Sequence, residues 1–159
     1  MRATLISLVI LLFSATLGVA QNVAFGGLAT NPNAPVEITA DSLEVNQETG
    51  TALFLGSVVI GQGALRLSAQ EVTVFYTENA QSIERMDAKG GVTLVNGEDA
   101  AEADTATYNL ADGLLRMQGD VLVSQGQSAL LAEEMTLNLN TGLAQMSGRV
   151  RTVLQSDQN

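Results

Sequence analysis

Almost every side chain in this 159-residue sequence that could take part in chemistry is a carboxylate: 17 Asp and Glu stand against 7 Lys and Arg, with no His and no Cys. Glu98, Asp99, Glu102 and Asp104 cluster, and so do Glu133 and Glu134. Paired carboxylates can act as acid and base at a glycosidic bond or share a calcium ion. The acids follow neither the spacing of a helix-flanked calcium loop nor a glycine-rich Asp nonapeptide. With no imidazole or thiol, triads built on His, thiol chemistry and the usual zinc or copper sites are excluded. The acids are therefore expected on solvated loops and strand faces, with no catalysis, no cofactor and no metal. A net charge of −10 argues against nucleic acid as a partner and against a bulk electrostatic hold on an anionic membrane.

The elements that place these residues start with a leader. Met1-Arg2 is a short positive start, Leu5 to Leu17 is an almost unbroken apolar run, and Gly18-Val19-Ala20 ends it with small residues. That is the pattern of a secretory signal peptide over 1–20, cleaved after Ala20. The run is also short for a spanning helix, which needs roughly 20 apolar residues. Residues 21–34 mix Gly, Asn and Pro without a period and read as a flexible lead-in. A single domain is expected over 35–154, with a short tail at 155–159. An exported chain without cysteines must be held by burial and β-pairing, with no disulfides.

Within the domain the clearest pattern is the hairpin from Phe54 to Val74, FLGSVVIGQGALRLSAQEVTV, with alternating apolar runs on either side of Gln62-Gly63. Weaker copies follow. An Ala-led strand recurs as ADSLEV, AQEVTV, ADTATY and AEEMTL from Ala40, Ala69, Ala103 and Ala132, at spacings of 29, 34 and 29 residues. A Gly-centred strand recurs at Gly56, Gly90, Gly119 and Gly148, spaced 34, 29 and 29. A 29-residue strand-turn-strand unit with one insertion of five between Thr77 and Arg85 accounts for both series. Val36, Ile38 and Ala40 alternate, then Leu43 and Val45 continue one position out of phase, as at a bulge or a corner. No helical period is sustained after residue 20, and Val95-Asn96-Gly97-Glu98 carries a hairpin signal. The fold class is all-β: antiparallel strand-turn-strand repeats, with a parallel solenoid as the architectural competitor.

Several pieces then carry a likeness: I-x-A-D at Ile38–Asp41, F-x-G-x-V-x-I-x-Q-G from Phe54 to Gly63, and L-x-L-x-A-x-E-V from Leu65 to Val72. In this order the stretch resembles the OstA-like domain of the LptA family of lipopolysaccharide transport proteins, over roughly Pro35 to Leu154. The resemblance implies a twisted antiparallel β-jellyroll, open at both ends, with an apolar groove for the acyl chains of lipid A. It also implies a non-catalytic periplasmic bridge between an LptC-type inner-membrane protein and an LptD-type outer-membrane protein.

Val36, Ile38, Phe54, Val58, Ile60, Leu65, Leu67, Val92, Leu94, Tyr108, Met117, Val121 and Val123 would line that trough, although for any single one of them an ordinary closed core is the simpler reading. With 4 Phe, 2 Tyr and no Trp, the slim interior is expected to leave room for acyl chains, with Met117, Met135 and Met146 adapting to them. Arg66, Arg85, Lys89, Arg116, Arg149 and Arg151 could meet acidic headgroups, although a solvated strand face is the simpler role for each. Unpaired sheet edges are expected at Val36, Glu37, Ile38, Thr39 and Ala40 and at Val150, Arg151, Thr152, Val153 and Leu154, giving head-to-tail self-association by strand addition. Two other readings remain open here: an LptC-type component anchored in the inner membrane, and a structural envelope β-repeat that binds no lipid.

Overall fold

The computed structural model describes residues 21–24, 34–79 and 81–153; the leader over 1–20 and the tail over 155–159 lie outside the described residues. The described chain forms one antiparallel sheet of eleven strands and no helix. They are β1 (Gln21–Ala24), β2 (Val36–Thr39), β3 (Ser42–Asn46), β4 (Thr51–Gln62), β5 (Leu65–Tyr76), β6 (Ile83–Asn96), β7 (Asp99–Asn109), β8 (Leu114–Gln125), β9 (Ser128–Asn138), β10 (Leu143–Ser147) and β11 (Arg151–Val153). From β4 to β10 each strand pairs with the next in sequence, a meander of hairpins that rules out the parallel solenoid. β2 and β3 lie end to end along β4; β10 and β11 lie end to end along β9. β1 pairs with β10, in a stretch whose lack of period reads as lead-in from sequence alone.

The 29-residue repeat has a structural cause. Each Gly-centred strand is bulged where the Gly stands, so two residues oppose one: Gly56-Ser57 face Gln70, Gly90-Gly91 face Asp104, and Gly119-Asp120 face Glu133. Both residues of each pair have positive φ. The Ala-led strand answers by turning two consecutive side chains outward. In β5 the inward series Leu65, Leu67, Ala69 gives way to Val72 and Val74; in β7, Ala101 and Ala103 give way to Ala106 and Tyr108; in β9, Leu130 and Ala132 give way to Met135 and Leu137. The phase shift between Ala40 and Leu43 is the first instance of this rule. In register, the bulges form a seam across the sheet that bends every long strand near its middle.

The seam divides the sheet into two halves whose apolar faces meet: one small cavity is lined by Ile60, Leu65, Leu67 and Leu94 from one half and by Met86, Tyr108 and Leu115 from the other. The turns differ between the halves. In the first, two-residue turns begin with Gly63, Gly97 and Gly126, all at positive φ. In the second, an Asn-x-x-x-Gly turn recurs: the Asn46 side-chain oxygen accepts from the amides of Glu48 and Thr49 at 2.9 and 3.1 Å, and that of Asn138 accepts from Asn140 and Thr141 at 2.9 and 3.1 Å. The insertion of five residues lengthens the ends of β5 and β6 as well as the turn between them, 77–82, which has six residues where 47–50, 110–113 and 139–142 have four.

The acid or amide that opens each Ala-led strand is fitted over the bulge glycine. A Cβ on Gly119 would stand 2.8 Å from Asp104 Cβ, and φ there is +85°. Gly97 also has positive φ (+63°), but nothing lies within 4 Å of where its Cβ would be. Gly97→Ala should therefore cost only the left-handed backbone penalty, about 1–2 kcal/mol, and Gly119→Ala more than that because of the added clash. Urea unfolding of the two variants checks the order; equal losses would mean that the seam is not held by this fit.

Candidate functional site

The candidate site is the apolar space between the two halves. Of the thirteen residues expected to line it, Val58, Ile60, Leu65, Leu67, Val92, Leu94, Tyr108, Met117, Val121 and Val123 are buried. Val36, Ile38 and Phe54 are half-buried and pack against that cluster. Val59, their opposite-facing neighbour, is exposed. Ala52, Val72, Val74, Met86, Leu115, Leu130, Met135, Leu137, Leu139 and Met146 belong to the same interior and are absent from the thirteen. Some of these were legible as period-two positions; Leu115 was masked by its neighbour Leu114.

Between the two halves the slim side chains are closely packed among the described residues. The cavity between the halves measures about 20 Å³, room for one water at most. Ala88, Ala101, Ala103, Ala106, Ala132 and Ala144 allow the backbones to approach until the gap is filled, as interiors pack to crystal-like density. At the β2–β3 end the inner face is open instead. Leu43 and Val45, on the inner face of β3, are 53% and 64% exposed and line an apolar depression with Ala52, Phe54 and Tyr76. The phase shift at Leu43 marks both residues as inward-facing, and their place on an edge strand leaves them uncovered.

Among the described residues, a polar contact joins the two halves across the interior. The Tyr108 hydroxyl donates to Oε1 of Gln62 at 3.3 Å, and Gln62 Nε2 donates to the Ala34 carbonyl at 3.3 Å. Gln62 ends β4 at a turn of the first half; Tyr108 lies near the end of β7 in the second. The pair thus fastens the two halves near their turn-bearing ends and satisfies two buried polar groups. Burial, and secondarily the charge of Asp112, raises the Tyr108 pKa above the ordinary 10.0.

Apart from the buried Asp99, the charged residues described below lie outside this space. Lys89 Nζ meets Glu71 at 2.7 Å, Arg85 Nε meets Asp87 at 3.1 Å with its guanidinium over the Phe75 ring, Arg116 meets Glu134 at 3.4 Å, and Arg149 Nε meets Glu133 at 2.6 Å. Arg66 donates to the carbonyls of Gly63 and Leu65. Asp99 is buried in the turn region and accepts from Gln125 at 3.4 Å. Among the described residues no three carboxylates are placed to share a cation. At the edges, Val36 to Thr39 form β2 and Arg151 to Val153 form β11, whereas Ala40 and Val150 fall outside strands and Leu154 outside the described residues. Sequence reasoning missed that β3 continues the first edge and that β10 and β1 complete the last.

A single bent antiparallel sheet, open at both ends, with a largely apolar interior in which Asp99 is buried and with its other charges turned outward, is an open β-jellyroll. The chain belongs to the LptA/(LptD N-terminal domain) family of lipopolysaccharide transport proteins, whose pattern matches residues 37–143. It is 29% identical over 116 residues to an uncharacterized protein of Rhizobium meliloti, covering 69% of this chain and 62% of that protein. It is also 29% identical over 101 residues to the lipopolysaccharide export system protein LptH of Pseudomonas aeruginosa, covering 63% of this chain and 57% of that protein. The chain thus matches about six tenths of the length of these relatives. The crystal structure of Pseudomonas aeruginosa LptH, a periplasmic component of a lipopolysaccharide transport device, superimposes with a TM-score of 0.71 at 19% identity, over 80% of this chain and 99% of that one. That likeness extends to the fold.

Removing the Tyr108 hydroxyl gives a direct measure of the fastening. Tyr108→Phe should lose about 0.5–1.5 kcal/mol at neutral pH. Because the folded pKa is raised, Tyr108 favours the folded state fully below pH 10 and loses that contribution as pH climbs toward the folded value. Stability should therefore fall above about pH 10 with a proton uptake term that Tyr108→Phe removes. Urea midpoints at pH 7 and at pH 10.5 test this; a variant with the same alkaline slope as the parent would refute the assignment.

Proposed function

We propose that this chain, exported to the periplasm and cleaved after Ala20, carries lipopolysaccharide by holding lipid A acyl chains between the two halves of its 35–154 jellyroll. The observation that carries the reading is the continuous apolar interior, closed along most of its length and open at Leu43, Val45, Phe54 and Tyr76, in a member of a lipopolysaccharide transport family. The halves part about the seam of bulges, and the acyl chains take the place of the opposite apolar face. Each methylene withdrawn from water contributes about 0.8 kcal/mol, and the protein surfaces exchange one apolar neighbour for another. No group transfer is involved.

The acidic charge fits a tail-directed mode of binding. Arg85, Lys89, Arg116 and Arg149 are already answered by neighbouring acids, so headgroup phosphates would remain in water at the mouth. In this reading the domain forms part of a bridge. Its β2–β3 edge and its β10–β11 edge pair with other copies, or with an LptC-type protein at the inner membrane and an LptD-type protein at the outer membrane, by strand addition.

The tightly packed interior favours one competing reading, a structural β-repeat of the envelope that takes no lipid. Photocrosslinking in living cells separates the two. A probe at Ile38, Phe54 or Ile60 is expected to capture lipopolysaccharide, and a probe at Val59 to capture none. Absence of lipid adducts at all four positions, in folded exported protein, would select the structural repeat.

A further inference from the structure

The two ends of the sheet are built to fit each other, and β1 stands in the junction. Along the sheet, strands with a single outward residue at the seam alternate with bulged strands: Asp41 between β2 and β3, Gly56-Ser57, Gln70, Gly90-Gly91, Asp104, Gly119-Asp120, Glu133, and Gly148-Arg149 between β10 and β11. The same hydrogen bond occurs at both ends of the series, from the Asp41 amide to the Gly56 carbonyl and from the Glu133 amide to the Gly148 carbonyl, each at 3.0 Å. The series begins on an acid and finishes on a bulge. The next member after Gly148-Arg149 would be an acid like Asp41, on a strand running in the direction of β2 and β3. A second copy, entering by its β2–β3 edge, supplies both.

β1 already occupies half of that position. Gln21, Asn22, Val23 and Ala24 pair with Met146, Gln145, Ala144 and Leu143, running antiparallel to β10 as an incoming β3 would. β10 and β11 are flush, because both pair with β9. β2 and β3 are flush, because both pair with β4. With β1 in place the receiving edge is stepped by one strand spacing, about 4.8 Å, so a flush entering edge cannot meet β11 and the strand beside it together.

We infer that β1 is an internal stand-in for β3 of a second copy, and that it must leave β10 before head-to-tail addition can proceed. β1 offers four paired positions on β10 alone. On β4, by comparison, β2 makes four and β3 five, so an entering copy pairs along both β10 and β11 and can displace the shorter strand. The inference rests on the head-to-tail part of the proposed function and adds the step that limits it.

The test exploits the absence of cysteine from the chain. In the double variant Asn22→Cys/Gln145→Cys, on positions that face each other in register, oxidation ties β1 to β10 and reduction frees it. Sedimentation velocity of the protein as the cell processes it is expected to show the oxidised form monomeric at concentrations where the reduced form and the parent associate. A second variant, Asn22→Pro/Val23→Pro, removes the pairing amides of β1 and should associate at least about tenfold more tightly than the parent. If the oxidised and reduced forms associate alike and the proline variant matches the parent, the stand-in role is overturned while head-to-tail assembly stands. If no form associates at any concentration, both fall.

Discussion

Everything in this fold depends on one constraint at the seam: the backbone ladder must continue unbroken across a bend while the apolar series stays on the inside of both halves. A plain strand cannot meet that requirement, since alternation is fixed at two and a bend alone would carry every second residue on unchanged. The chain meets it by adding a residue to one strand of each pair and letting its neighbour skip a beat. Glycine then marks the strand that gains the residue, while an acid or amide marks the one that skips. Ser57, Asp120 and Arg149 accept positive φ next to those glycines, so the seam is held at some backbone expense by its neighbours.

The interior that results is small in its side chains but not empty. Alanine on facing strands lets the halves close, and closure removes the space a count of aromatic residues suggests. The two apolar faces meet closely enough to leave a cavity of only about 20 Å³ between them. The Tyr108–Gln62 contact is a polar tie between them, placed near the turns.

Much of this was readable in the sequence because it recurs. The 29-residue spacing, the period-two runs and the shift of phase after Ala40 each reflect the backbone rule at the seam, and a rule repeated four times leaves a trace that one instance would not. Contacts made once leave none. Gln62 and Tyr108 are 46 residues apart and joined only by the fold. β1 is four residues long, without alternation, and its strand state comes from the edge of β10 it lies on. The closeness of the two faces was also hidden, because small side chains signal either a void or a close approach, and only the backbone separation decides which.

The repeat also sets the increments in which a protein of this design can change length. One unit adds two strands, about 10 Å of sheet, and returns the series to the same acid-first, bulge-last order. Duplication or loss of a whole unit would therefore leave both ends, and the seam between them, in matching phase, whereas gain or loss of a single strand would put two bulges side by side at a junction. The span of such a sheet is quantised by its own hydrogen-bond register, and the insertion of five residues between Thr77 and Arg85, taken up by a longer turn and by extension of β5 and β6 on either side of it, shows where extra chain can be accommodated without disturbing that count.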